Sequence, residues 1–429
     1  MTREWSETLP PQIDQPSLLQ ATRRVARNLG WLLSSQAITR LIGFAFGTFL
    51  ARYFGPRDYG QYVFVLGYIT YFGFLADGGL GRFLIREIAR DDSKLDQYLG
   101  SVIGLRLALS AAAYLLLVVI ALLSHASGAR SGSIAISGLT LFSGAFSGAV
   151  ASIFDARQEM RVTAVFQVIA TAGNAVFILI ALSLGFGLRG AFVAFALSNL
   201  PPLAFLLIML HHGGRRVPVS ADLRLWRHAL AQSIPYAVLG VIGLIFFRID
   251  SLMLTWIKGT QETGVYAAAY RLIEATAVLP GVAVAAAFPL LARLHVESRA
   301  MLRRAYFGAL GVLTVGAVPA ALATWLLAPF LVHLLYDAGG YAASVALLRI
   351  LSLALLIIFI DTANTMLLYS GDDLRTVLAL SLVTTGANVG MNLVLIPRYG
   401  YTGAAWSTVL SELLSLAIFT PTVLRYLYA

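Results

Sequence analysis

Apolar runs of about 20 residues, each long enough to cross a lipid bilayer, recur along nearly the whole chain. About twelve can be marked: roughly 28–51, 60–83, 99–123, 134–155, 164–186, 190–211, 232–257, 265–292, 307–333, 342–369, 377–397 and 403–424. The loops between them are mostly under about 15 residues, which leaves no room for an extramembrane domain. The runs are continuous and rich in Leu, Ala, Val and Ile, whereas barrel strands alternate over about 10 residues. The expected fold is therefore an all-α polytopic membrane protein. With 59% hydrophobic and only 12% charged residues, a water-soluble globular domain is excluded.

The net charge of +10 has a topological pattern. With the N-terminus placed in the cytoplasm, 20 of the 31 Lys and Arg residues fall in the tails and loops of that side. Six fall in the opposite loops and five lie inside the spans. This is the positive-inside rule; it places both termini in the cytoplasm and argues against a nucleic-acid footprint. Residues 1–27 are polar, with Pro10, Pro11 and Pro16, and the first apolar run is too long for a cleavable signal. Residues 18–29 put Leu18, Val25 and Leu29 on one face, as in a short interfacial helix. A positive anchor flank accounts for them equally well. The absence of cysteine excludes disulfides and thiolate metal sites. The six histidines (His125, His211, His212, His228, His295, His333) show no ligand spacing, and the adjacent pair His211–His212 reads as interfacial.

The chain repeats itself. Gly55, Asp58, Gly60 and Tyr62 return as Gly259, Glu262, Gly264 and Tyr266, all offset by 204. Glu159-Met-Arg161 returns as Asp373-Leu-Arg375 at 214, and Gly187, Gly190 and Ala191 as Gly400, Gly403 and Ala404 at 213. Ordered matches at similar offsets imply two six-span halves of parallel topology. Their pseudo-twofold axis would run along the membrane normal, with a substrate path between them. The expected division is a tail over 1–27, a lobe over 28–211, a linker over 212–231 and a second lobe over 232–429. Small-xxx-small pairs at Gly43/Gly47, Gly100/Gly104, Gly144/Gly148 and Gly386/Gly390 permit close packing within the fold, so a monomer is expected. Pro235, Pro280, Pro289, Pro319 and Pro329 interrupt spans 7, 8 and 9, and broken helices line substrate paths in transporters.

Charged side chains inside the bilayer are costly and face a wet cavity or a partner. Five arginines qualify. Arg40 lies mid-span in the first run, on a polar, small-residue stripe with Gln36, Gly43 and Gly47, and no acid in that span can neutralise it. It reads as an anion ligand in a wet cavity, or as a donor to a neighbouring helix's carbonyls. Arg248 and Asp250 are two apart and do not face each other, so each needs another partner or water. Arg271 and Glu274 are three apart and can pair on one helix face. Arg106 and Arg349 lie about two turns from span ends and read as snorkelling to the interface. Asp361 and Asn364 share a face of the tenth span, and Glu412 is mid-span in the last. Asp250, Glu274, Asp361 and Glu412 are thus candidate cavity or ion-coupling acids. No nucleophile–His–acid set and no Gly-Lys-Ser/Thr phosphate loop occurs, so neither an enzyme nor an ATP-driven pump is expected, and no cofactor.

The stretch Ala51-Arg-Tyr-Phe-Gly-Pro-Arg-Asp-Tyr-Gly-Gln-Tyr62, with Leu75-Ala-Asp-Gly-Gly-Leu-Gly81 and Ile85-Arg-Glu-Ile-Ala-Arg90, resembles the N-terminal signature of the polysaccharide biosynthesis (O-antigen flippase) family. Arg248-Ile-Asp-Ser-Leu-Met-Leu254 through Gly264-Val-Tyr-Ala-Ala-Ala-Tyr-Arg-Leu272 is similar to that family's span 7–8 signature. The family belongs to the multidrug/oligosaccharidyl-lipid/polysaccharide exporter superfamily. The resemblance implies two six-helix lobes around a cationic cavity, and movement of undecaprenyl-diphosphate-linked glycans to the periplasmic leaflet of the cell's inner membrane. By analogy it makes Arg40 and Arg271 diphosphate contacts. Twelve spans suit this family better than the fourteen of the peptidoglycan-precursor branch. Partners would be the lipid-linked oligosaccharide, membrane lipids, a polysaccharide polymerase and glycosyltransferases.

Two other readings compete. A cation-coupled drug or metabolite antiporter of the same fold would want an acid in the N-terminal half, where the first span has none and Asp77 lies near the end of the second. A membrane scaffold in a glycan-assembly complex leaves the intramembrane arginines without a purpose.

Overall fold

The computed structural model describes residues 18–91, 95–123, 128–212, 214, 219–336, 338–371 and 374–428. Residues 1–17, the side chains of 18–26 that carry the interfacial-helix reading, His125 and Asp373 lie outside the described residues. All regular structure among the described residues is helical. In the N-terminal half the helices are α1 (Leu18–Asp77), α2 (Leu80–Arg90), α3 (Leu95–Leu123), α4 (Gly128–Gly138), α5 (Thr140–Ala156), α6 (Met160–Ser183), α7 (Gly187–Leu197) and α8 (Leu200–His212). The C-terminal half comprises α9 (Leu223–Lys258), α10 (Thr260–Thr276), α11 (Val278–Glu297), α12 (Arg299–Tyr336), α13 (Ala338–Tyr341), α14 (Ala343–Ser370) and α15 (Leu374–Tyr428).

Eight of these helical stretches are long and apolar enough to cross a membrane, or nine if the pair α1–α2, bent by 40°, is one span. Two helices exceed any single span. A straight 60-residue helix would be about 90 Å long, three times the hydrocarbon thickness. α1 has that length and breaks at Gly55 (φ 69°, ψ 174°). α15, 55 residues long, breaks at Gly400 (φ 58°, ψ −134°). Backbone at these angles is open to glycine and costly for other residues. The repeat partner of Gly55 is Gly259 (φ 95°, ψ 176°), and the partner of Gly400 is Gly187, also at positive φ (57°). The glycines recur in the sequence because the same backbone turns recur in the fold.

α9 begins at Leu223, where the Asp222 carboxylate caps the Arg224 and Leu225 amides at 3.0 and 3.2 Å. Helix therefore enters the range 212–231 read as a linker. Proline breaks less than expected: Pro235 lies inside α9, and Pro319 and Pro329 inside α12. Only Pro280 sits beside an interruption, at the α10–α11 junction.

The halves meet through α1 and α10 at one end, and through α9 packed on α1 and α2 further along, where Tyr71 Oη donates to the Leu244 carbonyl at 3.2 Å. A Cβ added at Gly60 would lie 1.8 Å from the Thr260 carbonyl oxygen, and one added at Gly264 would lie 1.8 Å from that of Pro56. Each contact is the other shifted by 204 residues, as a pseudo-twofold axis through the seam requires. Hydrogen bonds stitch the surroundings. Tyr341 Oη donates to the Ala51 carbonyl at 2.8 Å, Ser344 Oγ to Val265 at 2.8 Å and Tyr336 Oη to Ala268 at 3.0 Å.

One arginine departs from its expected place. Arg106 does not snorkel: only 3% of it is exposed. It is ion-paired with Asp77 and donates to the Ala145 carbonyl at 3.4 Å. The cause lies on α5, where a Cβ at Gly148 would sit 2.4 Å from the guanidinium. The glycine opens a slot between helices, and an arginine fills it. Removing one partner of a buried pair leaves an uncompensated charge, which costs about 3 kcal/mol or more. Asp77→Ala is therefore expected to lower the thermal unfolding midpoint of the purified protein, and Asp77→Ala/Arg106→Leu to recover part of the loss. An Asp77→Ala midpoint equal to that of the wild type would contradict a structural role for the pair.

Candidate functional site

Below the glycine seam, facing stretches of α1, α9 and α10 carry the intramembrane charges. Arg271 is on α10, seven residues beyond Gly264. Its Nη1 donates across the interface to the Gly43 carbonyl of α1 at 2.8 Å. The guanidinium lies in the space a side chain at Gly47 would take, with a built Cβ only 1.3 Å from Nη1. Its Cζ is 6.0 Å from the centre of the buried Tyr59 ring. The Gly43/Gly47 pair thus makes a notch for a cation from the other half.

Arg271 does not use Glu274, the partner that its helical spacing offered. Glu274 instead meets Arg248 of α9, Oε1 to Nη2 at 3.3 Å, with both side chains about half exposed (50% and 41%). Such a pair is solvated and weak. Arg40 lies three residues before Gly43, one helical turn below the point where Arg271 crosses. It is exposed, with no hydrogen bond or ion pair among the described residues, and Gln36, one turn further, is exposed as well. Arg271, Arg248 and Glu274 therefore gather on the facing helices, and Arg40, one turn along α1 from the Gly43 contact, has no counter-ion among the described residues.

The remaining acids lie inside the C-terminal half. Asp250 is buried. Its carboxylate accepts from Tyr266 Oη at 3.1 Å, Thr408 Oγ1 at 3.0 Å and Asn392 Nδ2 at 2.5 Å, joining α9, α10 and both parts of α15. Asp361 accepts from Ser415 Oγ at 2.6 Å and Asn364 Nδ2 at 3.0 Å. Asp361 and Glu412 line a cavity of about 570 Å³ together with Thr362, Thr365, Ser381 and Thr384. Glu412 is 93% buried, being 7% exposed, and has no hydrogen-bond partner among the described residues. Arg349 stands apart. Its guanidinium covers the Trp325 ring at 4.9 Å and its Nε reaches the Trp325 carbonyl at 3.4 Å. No group of three His, Cys, Asp or Glu residues suited to a metal occurs among the described residues.

Sequence reasoning named Asp250 and Asp361 but did not join them to Tyr266, Asn392, Thr408 or Ser415, the residues that solvate them. The signal available was polar residues at helical spacing along the eleventh and twelfth runs: Asn388/Asn392 and Thr408/Ser411/Glu412/Ser415.

The helical breaks and the two-half seam define a polytopic helical membrane protein. Residues 25–295 match the family model described as polysaccharide biosynthesis protein, and the chain belongs to that family. No curated protein matches the sequence. Among solved structures, the fold is similar to "Lipid II flippase MurJ, inward closed conformation", with a TM-score of 0.79, 14% identity, and 92% of this chain and 87% of that chain covered. It is also similar to an inward-facing multidrug resistance MATE family transporter of the MOP superfamily, with a TM-score of 0.74, 17% identity, and 91% and 94% covered. An outward-facing MATE family transporter gives a TM-score of 0.60 at 17% identity, with 95% and 96% covered.

Carbonyl oxygens at the seam cannot give way to a methyl group. Gly60→Ala with Gly264→Ala is therefore expected to part α1 from α10. The chain has no cysteine, so Thr48→Cys, buried beside the Gly47 notch, reports the change without background. Labelling of that thiol by a membrane-impermeant maleimide should rise at least severalfold in the double-alanine chain. Gly30→Ala, where a Cβ meets nothing within 4 Å, should leave it unchanged. An unchanged rate in the double-alanine chain would remove the seam's sealing role.

Proposed function

We propose that this chain is a flippase for undecaprenyl-diphosphate-linked oligosaccharides. It carries them from the cytoplasmic to the outer leaflet of the inner membrane during O-antigen, capsule or exopolysaccharide synthesis. In this reading twelve spans form two six-helix lobes with both termini in the cytoplasm, and the glycine seam closes the outer side. The lobes correspond to 28–211 and 232–429, and a monomer does the work. The observation that carries the reading is Arg40: a mid-span cation, exposed and without a counter-ion among the described residues. Holding such a charge inside a bilayer is unfavourable by about 2.5–3.5 kcal/mol on insertion scales. An anionic ligand offsets that cost.

The chemistry of the ligand suits the site. Sugar hydroxyls and a diphosphate cannot enter hydrocarbon unpaired, whereas the polyprenyl tail can stay in lipid. The protein has to supply only a polar, positive cleft. Arg40, Arg248 and Arg271 offer planar forks that bind phosphate oxygens in pairs, and Gln36 adds an amide for hydroxyls. The diphosphate competes with Glu274 for Arg248 and with the Gly43 carbonyl for Arg271. Because the Arg271–Gly43 bond joins the two halves, loading the cleft loosens one of their links. Rocking of the lobes then exposes the cleft to the other side. The better match to inward-facing neighbours supports the same state for this structure. A polymerase and glycosyltransferases would stand before and after this step.

A second reading, a cation-coupled antiporter of the same fold, draws on one observation: the Asp361–Glu412 cavity, with its unpartnered buried carboxylate. Asp250 and Glu274 would be further coupling candidates. The two readings combine if cation binding there drives the flippase.

Arg40 touches no described partner, so its replacement leaves packing alone and a transport defect can be read directly. Arg40→Ala is expected to abolish surface glycan while the protein remains in the membrane at its normal level. Arg40→Lys should restore only part of the activity, because a point charge lacks the fork. Full polymer production by Arg40→Ala would sink the reading. Loss of drug resistance with intact glycan export would favour the antiporter.

A further inference from the structure

A second polar cavity, of about 290 Å³, lies at the Gly55/Gly259 end of the seam. It shares no lining residue with the Asp361–Glu412 cavity. Its walls come from both halves: Phe64 and Tyr68 of α1, Arg130 and Ile134 of α4, and Thr255 and Trp256 of α9. No carboxylate lines it.

Two hydrogen-bond donors there are unused. Tyr68 is 5% exposed, and its hydroxyl is buried without a partner. Arg130 Nε is likewise buried without one. Buried polar groups are almost always paired, and an orphan calls for a missing partner. Two orphan donors, one of them on a permanent cation, call for an acceptor that carries negative charge.

Aromatic rings make up much of the rest of the cavity. The Phe64 ring stacks on Tyr68 at 5.7 Å and 21°, and meets Trp256 edge-on at 6.4 Å and 75°. The Arg130 guanidinium stands 5.8 Å from the centre of the Phe64 ring, which fixes its direction. Trp256 is half exposed, so one ring faces the mouth. Flat aromatic faces suit the C–H faces of a sugar ring or the carbons of a polyol, while the donors take the oxyanion.

We infer that this cavity is a binding site for a phosphate ester of a sugar or polyol, held by Arg130 Nε and the Tyr68 hydroxyl and covered by Trp256. The site is separate from the central arginines and does not depend on what they carry. The chemistry has two sources, a phosphorylated glycan or the glycerophosphate head of a membrane lipid.

The test uses the purified full chain, titrated by calorimetry and by tryptophan fluorescence with glucose 1-phosphate, glycerol 1-phosphate, inorganic phosphate and neutral glucose. At least one ester should bind saturably and more tightly than inorganic phosphate, and glucose should not bind. The ester preferred identifies the source. Trp256→Phe should remove most of the fluorescence change. Tyr68→Phe should weaken binding about tenfold, the usual effect of one lost hydrogen bond to a charged group, and Arg130→Gln should abolish it. Thermal unfolding of these near-isosteric variants checks that they fold. Arg40→Ala should bind the ester as the wild type does; binding lost in that variant places the ester in the central cleft and overturns the proposal. Absence of ester binding, equal binding of inorganic phosphate, or binding that survives both Tyr68→Phe and Arg130→Gln also overturns it.

Discussion

The structure depends on a backbone contact at which two glycines let two helices touch. In lipid there is no hydrophobic force to drive helices together, so close packing and interhelical hydrogen bonds must do it. Gly60 against the Thr260 carbonyl and Gly264 against that of Pro56 bring α1 and α10 to backbone distance. Once they are that close, Tyr341 reaches the Ala51 carbonyl across the seam, while Ser344 and Tyr336 brace α10 from within its own half. One end of the interface is thereby held together at the backbone, and Arg271 lies seven residues further along α10.

The intramembrane charges divide by whether the fold neutralises them. Arg106 has Asp77. Asp250 has three donors, and Asp361 has Ser415 and Asn364. These groups join helices and tell little about a substrate. Arg40 has none of this, and Arg248 holds only a solvated partner. A charge already satisfied by the protein has little left to give a ligand, so function is read from the unsatisfied ones. Glu412 and the Tyr68–Arg130 pair follow the same logic in other parts of the molecule.

Much of this was legible in the sequence, for identifiable reasons. Hydropathy marks spans because no backbone polar group can go unpaired in lipid, which leaves continuous apolar helices as the solution. The repeated glycines were visible because positive φ and close approach admit almost no other residue. Side-chain pairing was not visible, because it depends on which helices become neighbours. Spacing within α10 offered Glu274 to Arg271, but Arg248 on α9 took it. Depth along α3 suggested that Arg106 snorkels, but the slot at Gly148 lies on another helix. The Gly144/Gly148 pair was in view as a packing motif, yet the sequence does not say whether such a slot receives a helix backbone or an arginine.

The duplication extends to the backbone and to charged turn residues such as Asp58 and Glu262, but not to the intramembrane charges. Shifted by 204 residues, Arg40 corresponds to Leu244, Arg248 to Phe44, Arg271 to Gly67 and Asp250 to Phe46. The seam glycines and the positive-φ turns must occur twice, because each half has to make the same bends and meet the other half at the same place. The cleft of the proposed flippase is different: both halves would line it, so a single set of cations would serve it. Two sets would roughly double the cost of keeping charge in the bilayer and place like charges face to face. For the proposed function, a symmetric scaffold with an asymmetric set of charges would suit a ligand with one charged head, one lipid tail and a defined direction of travel.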